Sequence, residues 1–406
     1  MSPHKTTSVR RIVALVSATA ATAALALAAL PQAAASATPL AAAPAAPGVD
    51  ARDFGVKCDG SNNDREPFAN ALTAIAGQGG GRLTLPAGDC NLEMSPGRIS
   101  MNIPSNVTVA GAGSQTRLLW SCEGGMDYSE VFRVSGQSIA VENLQIVRTG
   151  ACNGVAFNVL GVRGFSLRGV SVTGGAAKFD EWVHGIVLNG GGPNTKLRFD
   201  RMTLRDLDYG LFQPSPITTL VNDVEVTRSV FEANWATDLE FNAPEGTMTG
   251  IKVVRSTFRD NKSSAYGAGF GVGLANVQNA VVRKNTFSNY GFEPVHIEDR
   301  SANIKVSRNV FRRAFTERLD WASHVFIVSG SRDIRVNRNT FDTADNCNGI
   351  QAVFVNAGGV TAAKPDSVSI TRNKLLKGST AALAYTEGIQ GVAMHSNKIF
   401  PQGGNC

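Results

Sequence analysis

The chain has 406 residues, 43% of them hydrophobic and 18% charged, with a formal net charge of +6. That charge is spread without a basic run interleaved with aromatics, so no nucleic-acid partner is expected. A single globular core rarely supports so long a chain, whereas a solenoid grows in one dimension without that limit.

Lys5, Arg10 and Arg11 precede an apolar stretch from Ile12 to Leu30, and small residues follow at Ala35 and Ala37. This order predicts a cleaved export signal over 1–37 rather than a stable membrane anchor. Ala/Pro-rich sequence over 38–48 predicts a linker, leaving 49–406 as the folded domain and an extracellular location. Six cysteines, Cys58, Cys90, Cys122, Cys152, Cys347 and Cys406, follow the signal. An even count in an oxidising compartment predicts disulfides, and proximity suggests 58–90, 122–152 and 347–406 among fifteen possible pairings. The cysteine spacing fits no zinc template, and no metal site is expected.

From residue 138 one short phrase keeps returning, as in SIAVENLQI at 138, GIKVVRSTF at 250, NIKVSRNVF at 303 and DIRVNRNTF at 333. Within a phrase, apolar residues alternate, as in Ile304 and Val306, which means strand. The break before the last apolar residue carries Asn285, Asn309, Asn339, Asn373 and Asn397. Asparagine tolerates the left-handed backbone of a sharp bend, and stacked amides bond along a ladder. A second strand follows each phrase, as in DLEFN at 238, GVGLA at 271 and PVHIE at 294. The pattern predicts an all-β fold, a right-handed parallel β-helix. A β-sandwich or propeller is the alternative, and would show tight hairpin signals instead.

Residues 49–93 contain Asp53–Gly55 with Asp59–Gly60, an Asp-led helix over Asn63–Ala76, a glycine turn at Gly79–Gly81 and a strand ending at Leu85–Gly88. This segment resembles the entry module of the pectate-lyase superfamily, and Ser105 to Leu119 resembles the family's next strand. The resemblance implies a parallel β-helix and carbohydrate as the ligand class. Asp64 is expected to cap the helix, whose apolar face of Phe68, Ala71, Leu72 and Ile75 would close the N-terminal end of the solenoid.

Alternation also assigns the outward side chains of the second strands. One coil presents Asp238, Glu240 and Asn242; the next presents Gly271, Gly273 and Ala275; the next presents Pro294, His296 and Glu298. Coils about 4.8 Å apart would place two carboxylates on one side of a bare Gly273 floor and a His/Glu pair on the other. A sugar ring could occupy that floor. Asp238 and Glu240 are expected to form an acid–base pair, with Cβ atoms roughly 6–7 Å apart, a spacing that suits inverting glycoside hydrolysis. Glu298 and His296 would position substrate or substitute for either member. Loop aromatics Trp235, Tyr266, Tyr290 and Trp321 would supply stacking platforms, and His324, Asp299 and Arg300 would extend the edge. Trp182 with His184 could lengthen the groove.

Hydrolysis needs no cofactor. A lyase or uronate C5-epimerase would need a Lys, Arg, His or Tyr base and cations, calcium among them, to neutralise the substrate carboxylate. Tyr290-Gly291-Phe292-Glu293-Pro294 resembles the Y-G-F-D-P-H phrase of mannuronan epimerases, with Glu293 in place of the aspartate and Val295 at the histidine position. A non-catalytic carbohydrate-binding solenoid is the third expectation; it would keep the aromatics without needing the carboxylates.

Overall fold

The computed structural model describes residues 48–97, 99–124, 126–214, 220–243, 248–262, 269–314, 323–342, 351–358, 363–376, 383–386 and 388–400. The expected signal, the 347–406 disulfide, Tyr266 and Trp321 lie outside the described residues.

Every strand pairing is parallel, and each strand pairs with its counterpart one coil away, which makes a β-helix. Three strand stacks form its faces. The first contains Val183–Asn189, Leu211–Gln213, Leu239–Asn242, Val272–Ala275, Val295–Glu298, Ser323–Ile327 and Gln351–Val355. The second contains the repeated phrases, from Asn194–Asp200 and Val221–Thr227 to Arg332–Asn337 and Asp366–Thr371. Short strands such as Val230–Glu232, Thr257–Arg259 and Thr340–Asp342 make the third.

The interior is filled by one apolar side chain per stack position. Phe231, Phe258, Phe287, Phe311 and Phe341 form a continuous column of parallel rings 4.7–5.0 Å apart. Where the phrase bends, the expected asparagine ladder is present, but the left-handed backbone belongs to the residue before each asparagine: Lys284, Arg308, Arg338, Arg372 and Ser396. Asn309 Nδ2 donates to the Val282 carbonyl at 2.9 Å, and its Oδ1 accepts from the Asn285 backbone N–H at 2.9 Å. Asn339, Asn373 and Asn397 repeat both bonds. Upstream, Ser229 and Ser256 continue the acceptor role with their hydroxyls. The ladder thus satisfies backbone groups that the bend would otherwise bury unpaired.

The helix Arg65–Gly77 buries Phe68, Ala71, Leu72 and Ile75, and Phe68 meets Phe132 edge-on at 5.9 Å. Asp64 stands at its N-cap position but makes no side-chain cap bond. Its carboxylate instead accepts from the backbone of Lys57 and Cys58 at 2.7 and 3.0 Å. That bond fixes the loop next to the Cys58–Cys90 disulfide; Cys122–Cys152 is also formed, as sequence proximity suggested. Among the described residues, no helix is long and apolar enough to cross a membrane.

Candidate active site

Strand phase in the first stack follows the alternation. Leu239, Phe241, Val272, Leu274, Val295 and Ile297 point inward and are at most 1% exposed. The register aligns Phe212, Glu240, Gly273, His296, Phe326, Phe354 and Tyr385 in one outward column.

The floor at Gly273 is occupied, not bare. A Cβ built there would lie 2.5 Å from Glu240 Oε2 and 3.1 Å from its Cδ. Glu240 therefore folds its carboxyl over the neighbouring coil, into a slot that only glycine leaves open. The sugar-binding floor expected at Gly273 is corrected: the glycine seats an acid. Glu240 is 8% exposed, and its Oε2 is buried without a hydrogen-bond partner among the described residues. Burial, then the charge of Glu298, push its pKa up to about 7 against the lowering influence of His296 and the Thr237 hydroxyl.

His296, 9% exposed, lies between the rings of Phe270 and Phe326, with centroids at 4.3 and 4.9 Å. Its Nδ1 stands 3.7 Å from Glu293 and its Nε2 3.4 Å from Glu298. Burial alone would hold the ring neutral, but the two glutamates outweigh it and raise its pKa to about 10. His296 is thus a cation at neutral pH, sandwiched by aromatic faces that favour it. In return, Glu298 is held below the ordinary carboxylate range: its burial pulls upward, and His296 more than compensates. Asp299 is raised by burial and by Glu298. Asp299 and Arg300 both have left-handed backbones (φ 51° and 62°), so they turn out of the strand rather than extend it.

Asp238 departs from expectation. It precedes the strand, in the turn, and is wholly buried. One carboxylate oxygen accepts from Asn234 Nδ2 at 2.7 Å and the other from the Tyr290 hydroxyl. Burial raises its pKa to about 7 against these two bonds. With both oxygens engaged away from solvent, Asp238 ties its own turn to the end of the strand Thr286–Tyr290 and does not face Glu240's groove. Tyr290 is corrected with it: the side chain is fully buried, edge-on to Phe287 at 6.2 Å, and offers no platform. His324 is likewise internal, packed between Phe311 and Phe341 and driven to a pKa of about 3 by burial. Trp235 packs on the core with Nε1 bonded to the Ala176 carbonyl at 2.8 Å and the Lys262 ammonium 5.4 Å over its ring. Asn242 is half-buried at the end of Glu240's strand, opposite Ala275.

The aromatic flanks come from other residues. On one side of Glu240, Tyr209 stacks on Phe212 at 4.2 Å, and burial followed by Glu240's charge raises its phenol. His184 touches both rings, is 3% exposed, and leaves Nδ1 without a partner among the described residues. Trp182, 56% exposed, lies 5.4 Å beyond it. On the other side Phe326, Phe354 and Tyr385 stack at 5.0 Å intervals. The face thus carries an acidic centre between two aromatic stretches. Among the described residues, the one group with metal-ligand proximity is Cys58, Asp64 and Cys90, whose sulfurs are joined to each other, so it offers no metal site.

Residues 184–375 match the family described as the right handed beta helix region. A curated relative, mannuronan C5-epimerase AlgE4 of Azotobacter vinelandii, is 27% identical over 165 residues, 40% of this chain. That match spans 27% of the relative's length. The A-module of mannuronan C-5 epimerase AlgE6 from the same organism superposes with a TM-score of 0.60 at 17% identity, covering 87% of this chain and 99% of that one. DFA-IIIase from Arthrobacter chlorophenolicus A6 gives a TM-score of 0.56 at 11% identity, covering 87% and 94%. At such identities the superpositions establish the fold. With the repeated coils and the match over 184–375, these superpositions establish the chain's fold as a right-handed parallel β-helix.

Proposed function

We propose that this chain is an exported carbohydrate-active enzyme that hydrolyses a polysaccharide or oligosaccharide, with Glu240 as general acid and Glu298 as its ionised partner. The observation that carries the reading is Glu240's carboxyl, held in the Gly273 slot with one oxygen unpartnered and facing the His296–Glu298 pair. Glycoside hydrolysis needs a protonated and an ionised carboxyl at one pH, and opposite environments supply them. Here burial keeps Glu240 protonated towards neutrality, while His296 keeps Glu298 charged. His296 acts as the positioning cation, fixed by Phe270 and Phe326. The strands of Glu240 and Glu298 are two coils apart, about 10 Å between backbones, and Glu240's carboxyl reaches over the coil between them. The aromatic stretches suit the apolar faces of sugar rings.

A second reading, uronate C5-epimerase or lyase, draws on the 27% identity to a mannuronan C5-epimerase. Of the bases this reading offers, His296, Tyr290 and Arg300, Tyr290 is engaged inside the fold and His296 is paired with two glutamates; Val295, at the phrase's histidine position, is apolar and in the core. Glu293 and Glu298 already pair with His296, so that cation is not free to receive a uronate carboxylate.

Incubating the mature protein with a panel of neutral and acidic glycans separates these readings. Hydrolysis releases saturated reducing ends, elimination leaves ultraviolet-absorbing unsaturated ends, and epimerisation alters the sugar without cleavage. Retained binding with no product on any glycan would favour the non-catalytic solenoid.

A further inference from the structure

Stacking also gathers charge on the second strand stack, a face separate from the Glu240 column. In five successive coils the residue just before the ladder position is Arg255, Lys284, Arg308, Arg338 or Arg372. Each is exposed, and each has a left-handed backbone, with φ between 57° and 60°. Each backbone N–H donates to the next coil, which holds the five in one row at coil spacing, about 4.8 Å. Beside the row, Lys252, Arg283, Lys305 and Arg335 project from the same strands.

None of these nine side chains has an ion pair or hydrogen bond among the described residues. Upstream the pattern is different: Arg201 and Arg228 share Asp200, and Arg198 pairs with Asp223. One acid, Glu225, stands at the upstream edge in register with Lys252 and lies 3.7 Å from Arg198; Asp333 and Asp366 lie at the starts of their strands, whereas the row follows the strand ends. Lys252, Arg255, Arg283 and Lys305 also line a hollow of about 630 Å³. Like charges repeated at this spacing repel one another, and a left-handed position favours Asn or Gly over Arg or Lys. Neither choice serves the fold.

We infer that this face is a docking surface for a linear acidic polysaccharide, which would lie along the solenoid axis and hold the enzyme on an anionic glycan matrix. A straight row of cations one coil apart matches a chain carrying one carboxylate per sugar ring. A single-stranded nucleic acid would call for stacking aromatics, and Val254 and Val281 are what fill the gaps between these cations.

The test uses the mature protein with Glu240→Gln, so that turnover does not interfere, and measures binding to polygalacturonate, dextran and a single-stranded oligodeoxynucleotide over a salt series. Polygalacturonate should bind and dextran should not. Adding Arg255→Asn, Lys284→Asn, Arg308→Asn and Arg338→Asn should weaken polygalacturonate binding at least about tenfold. It should also reduce the slope of log affinity against log salt by roughly 3, at about 0.7 per lost contact. Melting temperature should hold or rise, because Asn suits the left-handed backbone. Replacing the three arginines by lysine instead should preserve binding. Unchanged polygalacturonate binding in the four-Asn variant would overturn the inference, as would tighter binding of the oligonucleotide than of polygalacturonate. Loss of turnover in Glu240→Gln with docking intact separates this surface from the proposed reaction.

Discussion

Gly273→Ala isolates the placement of Glu240 from its presence. The added Cβ would sit 2.5 Å from Oε2, where ordinary contact begins at 3.4 Å, so the carboxyl must retreat by about 0.9 Å. Gly273 has no left-handed backbone, its strand neighbours are ordinary, and the obstructing atom ends a flexible side chain. Alanine should therefore fold normally and gain slightly from strand propensity, leaving the melting temperature within a few degrees. Catalytic groups displaced by about 1 Å lose on the order of 10²-fold in rate. The expected result is a fall in kcat near that size on whichever glycan the protein cleaves, with KM altered far less, measured by reducing-end release. A Gly273→Ala enzyme with unimpaired kcat would refute the claim that the slot positions the acid.

The pH profile of turnover should hold through the weakly acidic range and fall as pH rises through about 7, where Glu240 ionises; Glu298→Gln should remove the acidic limb. The same shift affects stability. Between its unfolded value of 4.5 and about 7, Glu240 binds more proton in the folded state, so stability falls as pH rises across that window. Relative to Glu240→Gln, the wild type should lose roughly 3 kcal/mol there, at about 1.4 kcal/mol per unit, measurable by urea titrations at pH 5 and 8. Asn309→Ala strands the Asn285 N–H and the Val282 carbonyl inside the bend, costing about 2–6 kcal/mol, whereas Asn309→Ser keeps an acceptor as Ser256 does and should cost about half. Asp238→Asn should destabilise by about 1–3 kcal/mol, since one of Asn234 and Tyr290 loses its acceptor, yet keep most of its activity.

Alternation reaches the column Glu240–Gly273–His296 because inward residues are uniformly apolar there: Leu239, Phe241, Val272, Leu274, Val295 and Ile297 leave one possible phase. It does not reach Asp238 or His324. Each directly precedes an inward residue, so alternation counts it as outward, yet both are buried: Asp238 in the turn before its strand, His324 within Ser323–Ile327 against Phe311 and Phe341. The partner that engages Asp238, Tyr290, is 52 residues away, at the end of the strand Thr286–Tyr290, and alternation within one strand does not reveal a contact between stacks. Gly273 was legible as a side-chain-free position but not as a slot, because its meaning depends on the rotamer of a residue on the neighbouring coil. The aromatic stretch was within reach, since Phe326 and Phe354 fall at the same alternating position as His296. The basic row escaped for a different reason: its members are 24–34 residues apart in sequence and become neighbours through stacking alone.

Glu240 is proposed as the working acid, and Asp238 belongs to the frame. Comparing kcat of Glu240→Gln and Asp238→Asn on one cleaved glycan, with binding measured alongside, tests this most directly. Glu240→Gln should lose roughly 10²–10⁴-fold in kcat while still binding the glycan, and Asp238→Asn should stay within about tenfold of wild type. Near-normal turnover in Glu240→Gln, with Asp238→Asn inactive though folded, would contradict it.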